Sequence, residues 1–323
     1  MTVDAGALAR AAAVLKGARS VVIGSHVDPD GDAVGSALAL AAALDLADIP
    51  VTVVSANGRG CPVTYSFLPG ADRFVPTAAA PAHDVFVALD SPVLARLGDA
   101  GVLAEAAGQL VAIDHHPDAA IEASVRVFDS AAAATGLLVW YLVPHLGVTP
   151  NADIATCTYT ALLSDTGRFS YANTTPEALR AAAEMIESGV DPHAVYSAVY
   201  ENRSAAAHAL ITRTLDRVTL ANDGRVAYSW IDAADFTETG ALPEESENLI
   251  DQLRPLAGIE VAFLAKSIDG TVRISLRAKG AQDVGTVARA FGGGGHRAAA
   301  GFTYEGTLSA LLPALLQALP GGR

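Results

Sequence analysis

The sequence predicts an α/β fold in which a parallel-sheet N-terminal domain precedes a smaller mixed α/β C-terminal domain. Three observations indicate this fold. In the first half, apolar runs alternate with helical patterns, which is typical of an open parallel sheet with helices on both faces. In the second half, pairs of strand patterns are joined by short Gly-containing turns, as in antiparallel hairpins. The chain has 323 residues, enough for two cores of ordinary size.

The first domain contains four apolar runs typical of buried parallel strands. These runs are 20–24, 51–55, 84–90 and 109–114. Helical patterns follow at 33–48, 93–107, 130–146 and 152–163, and the chain is predicted to be helical from 175 to 215. We place the domain boundary between 190 and 215, with domains at 1–200 and 210–323.

In the second domain, two segments read as strand–turn–strand units. They are "RVTLANDGRVAYSWID", with a turn at 222–224, and "IEVAFLAKSIDGTVRISLRA", with a turn at Asp269-Gly270. Helices are predicted near 245–255, 283–291 and 307–319. Together they predict a mixed sheet with helices packed against it.

Charge and composition exclude several classes of protein. The net charge of −14 argues against a protein that coats long nucleic acid. Residues 254–297 nevertheless hold seven basic and three acidic residues, which suits either a small anionic ligand or a solvated basic face. No apolar run reaches the roughly 20 residues of a membrane span. The N-terminus lacks a signal-peptide pattern and the two cysteines are isolated, so we expect a cytoplasmic protein.

Acidic and histidine residues gather where the predicted strands end. The stretch "SHVDPDGDAVGS" at 25–36 holds one histidine and three aspartates directly after an apolar strand. Taken alone, it fits a solvated turn or a metal site. Asp90, the triplet 114–116 ("DHH") and Asp165 lie at similar places, and the carboxyl ends of parallel strands share one rim. So much negative charge in one place indicates cations, and carboxylate with imidazole favours Mn²⁺ or Mg²⁺.

Four motifs carry a more specific resemblance. In chain order, "HVDPDGDAVGS", "ALD", "DHH" and "LLSDTGRF" resemble the motifs of the DHH phosphoesterase superfamily. "FGGGGHRAAAGF" at 291–302 is similar to the glycine-rich motif of the DHH-associated C-terminal domain. Length and layout resemble the NrnA-like branch of nanoRNases and pAp phosphatases, some of whose relatives hydrolyse cyclic di-AMP or linear pApA.

The resemblance implies a centre with two Mn²⁺ ions, Mg²⁺ being the alternative. It implies that His26 and Asp30 hold the first ion and that Asp90 bridges both. The implied ligands of the second ion are Asp32, His115 and Asp165. We expect Asp114 to orient the neighbouring ligand histidine and His116 to face the scissile phosphate, so these two residues are the catalytic candidates. Two such ions would activate water for direct hydrolysis.

The glycine-rich segment of the second domain is the candidate phosphate site, although a flexible loop is the usual meaning of a glycine run. Gly293, Gly294 and Gly295 would let backbone amides approach a phosphate, with His296 and Arg297 following at a helix N-terminus. Ser275 and Arg277, in "RISLRAKG", are further substrate-binding candidates.

The resemblance implies a phosphodiesterase and phosphatase with its active site in an interdomain cleft. Implied substrates are nanoRNA, pApA and 3′-phosphoadenosine 5′-phosphate (pAp), hydrolysed to 5′-mononucleotides, with no long nucleic acid or membrane as partner. A homodimer is implied as well. The alternatives are a cyclic di-AMP phosphodiesterase that opens the ring and a non-catalytic nucleotide sensor.

Overall fold

The computed structural model describes residues 3–268 and 270–322. Asp269, part of the predicted second turn, lies outside the described residues. The chain forms two compact units, the first ending at Glu201 and the second beginning at Asn202. In the described ranges, no helix is both long enough and apolar enough to cross a membrane.

The first unit is built on a six-stranded parallel sheet, which confirms the predicted α/β class. Its strands are β1 (Val21–Ser25), β2 (Val51–Ser55), β3 (Phe74–Pro76), β4 (Val85–Leu89), β5 (Gln109–Asp114) and β6 (Val125–Phe128). The four predicted strands are present. The sequence did not predict β3 and β6, because each lies at a sheet edge and has only three or four residues.

The strand order of this sheet is β3-β2-β1-β4-β5-β6. The order therefore reverses between β1 and β4, which are neighbours although β2 and β3 separate them in the chain. In open α/β sheets a crevice forms at this switch point, outside the carboxyl ends of the two strands. The fold thus marks one place on the first unit where a site is expected.

The helices of the first unit are α1 (Ala5–Gly17), α2 (Gly31–Leu46), α3 (Gly101–Ala106), α4 (Thr135–Leu142), α5 (Ala152–Asp165), α6 (Pro176–Glu187) and α7 (Pro192–Tyr200). Two predicted helices are shorter than expected. The segment 93–107 begins as the 3₁₀ helix Leu94–Ala100, and Gly98 has non-helical backbone angles inside it. In the segment 130–146, α4 begins only at Thr135, and Val143–Leu146 is a 3₁₀ turn.

Small residues let α2 and α5 pack closely in the core. A Cβ atom at Gly35 would lie 2.4 Å from the carbonyl oxygen of Cys157, closer than real Cβ contacts allow. A Cβ atom at Gly31 would likewise lie 2.7 Å from the Ser164 side chain. The small-residue composition of these helices therefore serves close packing, which brings the two helix ends that carry acidic residues together.

The second unit has a six-stranded mixed sheet of order β11-β12-β10-β9-β8-β7. Its elements are α8 (Ala205–Asp216), β7 (Thr219–Ala221), β8 (Val226–Asp232), α9 (Ala233–Thr239), β9 (Val261–Ile268), β10 (Thr271–Ala278), α10 (Val284–Ala290), β11 (Gly294–Gly295), β12 (Ala299–Glu305) and α11 (Leu308–Ala318). Both predicted strand pairs are antiparallel, whereas β8 and β9 pair in parallel.

The predicted helix at 245–255 is wrong. The segment instead forms two 3₁₀ turns, Pro243–Ser246 and Leu249–Gln252. Asn248 between them has a left-handed backbone with φ of 62°, which no α-helix can contain. Leu249, Ile250 and Leu253 of this segment all pack into the core.

Candidate metal centre

The ends of five elements of the first unit meet at the switch point. His26 directly follows β1, Asp90 directly follows β4, and His115 directly follows β5. Asp165 is the last residue of α5. Asp30 is the N-cap of α2, and Asp32 lies in the first turn of that helix. All six predicted metal ligands therefore lie on one rim of the unit.

The two histidines predicted as metal ligands are held in the same way. Nδ1 of His26 lies 2.8 Å from the carbonyl oxygen of Val27, and Nδ1 of His115 lies 3.0 Å from that of Ala132. A carbonyl oxygen only accepts hydrogen bonds, so each Nδ1 donates. When a neutral imidazole donates through Nδ1, its Nε2 keeps a lone pair for a metal ion.

Both Nε2 atoms face carboxylates. That of His26 lies 3.6 Å from Oδ2 of Asp90 and 3.9 Å from Oδ1 of Asp30. That of His115 lies 3.5 Å from Oδ2 of Asp32 and 3.7 Å from Oδ1 of Asp90. Two clusters result, each with ligand atoms within 4.8 Å of one another, and Asp90 belongs to both.

Asp165 lies beside the second cluster, with its Oδ2 3.3 Å from Nε2 of His115. Burial and the charges of Asp30 and Asp90 raise the pKa of this carboxyl to about 6, although His115 opposes the shift. Burial and the charges of Asp90 and Asp165 likewise hold the pKa of Asp32 well above its ordinary value. Carboxylates this close repel one another, so a cation between them would stabilise their charged forms.

Asp32 has no exposed surface, and its carboxylate accepts hydrogen bonds from Thr135, Gly136 and Ser36. The backbone N–H groups of Thr135 and Gly136 donate to it at 2.7 and 2.8 Å. Oγ of Ser36 donates at 3.0 Å. The carboxylate thus lies at the N-terminus of α4, where unpaired amides and the helix dipole favour negative charge.

Asp90 has a left-handed backbone, with φ of 50°, and only 1 % of its surface is exposed. Burial favours its neutral form, but the nearby imidazoles of His26, His116 and His115 outweigh burial. Together they lower the pKa of Asp90 well below its ordinary value. A buried carboxylate in charged form at the centre of both clusters is suited to hold cations.

One expectation about the aspartate of the "DHH" triplet is wrong. We expected Asp114 to orient His115, but the carbonyl of Ala132 orients that ring. Oδ1 of Asp114 instead accepts hydrogen bonds from the backbone N–H and from Nδ1 of His116, at 2.9 and 2.8 Å. The chain turns directly after β5, and this turn brings the carboxylate back to the residue two positions on.

His116 is the catalytic candidate of the centre. Burial lowers its pKa, but the hydrogen bond to Asp114 and the charges of Asp90, Asp114 and Asp165 outweigh burial and raise it to about 10. Its ring stands at 71° to that of His115, with 5.1 Å between ring centroids. The rings of the two adjacent histidines therefore meet edge to face.

The second unit holds the predicted substrate-binding residues. Ser275 and Arg277 alternate along β10 with buried Ile274 and Leu276, and so lie on the face opposite the main core. Nε of Arg277 lies 3.3 Å from Oδ1 of Asp251. The structure thus places both residues on one face of the sheet.

The predicted helix N-terminus at the glycine-rich segment is wrong. Gly293 follows the end of α10, Gly294 and Gly295 form β11, and a tight turn through His296 and Arg297 leads into β12. The backbone N–H of His296 donates to the carbonyl oxygen of Ala299 at 2.8 Å. A Cβ atom at Gly293 would lie 2.1 Å from the carbonyl oxygen of Gly301. A side chain at position 293 would therefore clash with β12.

Sequence reasoning missed Thr135 and Gly136, which hold Asp32, and Asn173, whose Nδ2 donates to the carbonyl oxygen of Asp165 at 3.0 Å. The only signal was the run "AAAATG" before an apolar helix. Most of these contacts use backbone groups, which residue types do not reveal.

Two segments of the chain match known protein families. Residues 20–162 match the DHH family, N-terminal domain, and residues 223–320 match the DHHA1 domain. Bifunctional oligoribonuclease and PAP phosphatase NrnA from Thermus thermophilus is 34 % identical over 287 residues, covering 88 % of this chain and 84 % of that protein.

Two solved structures share the fold. An exopolyphosphatase-related protein from Bacteroides fragilis has a TM-score of 0.86 at 24 % identity, covering 98 % of this chain and 96 % of its own. RecJ from Thermus thermophilus in complex with Mn²⁺ has a TM-score of 0.53 at 16 % identity, covering 98 % of this chain and 54 % of its own. From the paired domains and the extent of the NrnA match, the chain belongs to the DHH phosphoesterase family, with a DHH domain followed by a DHHA1 domain.

Proposed function

We propose that this chain is a metal-dependent phosphodiesterase and phosphatase that hydrolyses very short nucleotides to 5′-mononucleotides. The observation that carries the proposal is the sharing of Asp90 by two ligand clusters, one with His26 and Asp30 and the other with Asp32 and His115. The Thermus thermophilus relative, which is 34 % identical to this chain, is named as an oligoribonuclease and PAP phosphatase, and this name supports the same substrate class.

The donor set fits two divalent cations that prefer oxygen and imidazole, such as Mn²⁺ or Mg²⁺. His26, Asp30 and Asp90 would hold one ion, and Asp32, Asp90, His115 and Asp165 the other. When bound, such a pair supplies a nucleophile from water at neutral pH and stabilises both oxygens of an in-line displacement. The raised pKa values of Asp32 and Asp165 support this fit, because both indicate carboxylates that lack a counter-charge.

His116 has the properties of a group that stabilises charge on the substrate. The hydrogen bond to Asp114 raises the pKa of His116, which favours the protonated ring. Asp114 fixes its orientation through Nδ1. We propose that Nε2 of His116 donates to an oxygen of the scissile phosphate, where negative charge develops during hydrolysis.

The second unit is proposed to bind the part of the nucleotide that does not react. Arg277 and Ser275 share a sheet face, and His296 and Arg297 lie in the turn after the glycine-rich strand. Basic residues suit a second phosphate, and Gly293, Gly294 and Gly295 leave that backbone without side chains. Contacts remote from the reacting bond can raise the rate by positioning it.

We propose nanoRNA, pApA and pAp as substrates, with cyclic di-AMP as the alternative and a nucleotide sensor as the non-catalytic alternative. The complete ligand set argues for the enzyme. Net charge of −14 disfavours long nucleic acid, because additional phosphates would meet an acidic surface. A cytoplasmic location and a homodimer remain predictions.

A direct test compares hydrolysis of pApA, pAp, a short RNA, cyclic di-AMP and a long single strand by the full chain, with Mn²⁺ and after dialysis against EDTA. We expect rapid Mn²⁺-dependent release of mononucleotides from the first three substrates. Tight nucleotide binding without hydrolysis would instead support the sensor, and fastest turnover of cyclic di-AMP would support the alternative enzyme.

A further inference from the structure

A five-residue segment with no metal ligand of its own contacts several of the proposed ligands. We define this positioning segment as residues 132–136, which end in the first turn of α4. Its Ala132 carbonyl accepts from Nδ1 of His115, and its Thr135 and Gly136 amides donate to Asp32. One short stretch of backbone therefore fixes a histidine and a carboxylate of the same cluster.

Thr135 also reaches the residue that both clusters share. Its Oγ1 donates to Oδ1 of Asp90 at 2.8 Å, while its backbone N–H donates to Oδ2 of Asp32 at 2.7 Å. Thr135 is fully buried, so water does not compete for these hydrogen bonds. A single residue thus ties together two ligands that lie 58 positions apart in the sequence (90 minus 32).

The hydroxyl of Thr135 bonds to one oxygen of Asp90, and this fixes where the other oxygen points. Oδ1 lies 3.7 Å from Nε2 of His115, on the side of the second cluster. Oδ2 lies 3.6 Å from Nε2 of His26, on the side of the first cluster. One carboxylate oxygen thus faces each cluster. Loss of the hydroxyl would remove this restraint on rotation of the Asp90 carboxylate.

The rest of the segment is anchored to the end of α5. Nδ2 of Asn173 donates to the carbonyl oxygen of Ala133 at 3.1 Å and to that of Asp165 at 3.0 Å. Gly136 lets α4 approach α5, because a Cβ atom there would lie 2.4 Å from that of Ala161. Asn173 and α5 therefore hold the positioning segment in place independently of its contacts with the proposed metal ligands.

We propose that Thr135 is a positioning residue whose hydroxyl sets the orientation of Asp90 and so allows both ions to bind together. The inference rests on the proposed function, since it concerns the same centre. Groups that orient metal ligands typically contribute a factor of about 10–100 in metal affinity or activity. Thr135 acts through Asp90 and Asp32 and is not assigned a contact with substrate.

The test measures binding of Mn²⁺ to the full chain by titration, with free Mn²⁺ followed by electron paramagnetic resonance. Thr135→Val removes the hydroxyl at nearly constant volume and keeps the backbone N–H, whereas Thr135→Ser keeps the hydroxyl. The matched control is Thr158→Val. Thr158 is equally buried in the first unit, but its hydroxyl donates to backbone carbonyls within α5, at 2.9 Å to that of Ile154.

We expect Thr135→Val to weaken binding of at least one ion about 10–100-fold, while Thr135→Ser and Thr158→Val bind two ions much as wild type does. The Mn²⁺-induced rise in Tm should shrink in Thr135→Val only, because that rise reports binding to the folded state. If Thr135→Val does not fold, Thr135→Ala and Thr158→Ala are compared in the same way.

If Thr135→Val bound Mn²⁺ with the affinity and stoichiometry of wild type, the inference would be overturned but the proposed function would stand. Equal weakening in Thr135→Val and Thr135→Ser would also overturn the inference, because the hydroxyl would then not be the cause. If wild type itself bound no Mn²⁺, the proposed metal centre would fail first, and the inference with it.

Discussion

Oδ2 of Asp90 lies 3.6 Å from Nε2 of His26, although the two residues follow different strands of the sheet. The strands β1 and β4 are neighbours because the sheet reverses its order between them. Their carboxyl ends therefore present an imidazole and a carboxylate to the same space. This pairing, repeated by His115 on the other side of Asp90, makes Asp90 the centre of the site.

We predict that Asp90→Asn is the most damaging single substitution in the centre. Loss of one negative charge should weaken the binding of both ions. Turnover of pApA should therefore fall more than about 100-fold, which exceeds the usual effect of a residue that only orients a metal ligand. The measurement is initial rate at saturating Mn²⁺. Asp28→Asn is the matched control, because Asp28 is exposed and has a similar left-handed backbone with φ of 53°. Turnover near that of wild type in Asp90→Asn would contradict the bridging role.

Removal of metal should abolish hydrolysis. We expect exhaustive EDTA dialysis to leave no activity and added Mn²⁺ to restore it better than Zn²⁺ or Ca²⁺, because the set combines carboxylates with two imidazoles and no thiolate. Metal content measured by mass spectrometry should rise to two ions per chain as activity returns. Full activity in protein that is free of metal would rule out this centre as the source of hydrolysis.

His296→Ala should separate nucleotide binding from the metal centre. We expect turnover of pApA to fall, with Mn²⁺ binding intact and hydrolysis of a small non-nucleotide phosphodiester less affected. His208→Ala is the control, since His208 is an exposed histidine on α8 of the same unit. Equal loss of both activities in His296→Ala would show that the residue does not act on the nucleotide.

The second unit should lose stability in acid through Asp235. This side chain is 1 % exposed and accepts hydrogen bonds from Arg217 and Arg213. Burial raises its pKa, but the hydrogen bond from Arg217, that from the backbone of Asp232 and that from Arg213 outweigh burial, so the pKa is lowered. Its stabilisation is therefore present above the unfolded pKa of about 3.9 and is lost as pH falls through the folded value.

Asp235→Asn should accordingly lower the free energy of unfolding by about 1–3 kcal/mol at pH 7, measured by urea denaturation. The difference from wild type should narrow below about pH 4. Glu238→Gln removes an exposed partner of Arg213 and should cost less than about 1 kcal/mol. A difference that stayed constant down to acid pH would show that the charge of Asp235 is not responsible.

The sequence predicted the strands that matter for the site because buried parallel strands are nearly continuous apolar runs. It missed β3 and β6, which are too short to leave such a run. It predicted a helix at 245–255, where the left-handed backbone of Asn248 separates two 3₁₀ turns; asparagine favours this conformation but does not require it.

The gathering of the proposed ligands on one rim was predictable because each one follows a strand end or occupies a helix end, and because carboxylates and imidazoles are visible in the sequence. The orientation of the ligands was not. Asp114 was assigned to the wrong histidine because a turn of two residues decides which N–H groups it reaches. The carbonyl of Ala132 and the amide of Gly136 belong to residues without polar side chains.

The backbone contacts of the positioning segment determine which substitutions it can tolerate. Ala133 offers only its carbonyl oxygen to Asn173, and its own side chain is 1 % exposed. At position 133 the size of the side chain should therefore matter more than its chemical groups. Glycine at 133 would keep the carbonyl group, whereas leucine would need space that this buried position does not offer. An alanine-rich stretch that looks uninformative in the sequence is thus held to a narrow range of residue sizes by the centre it supports.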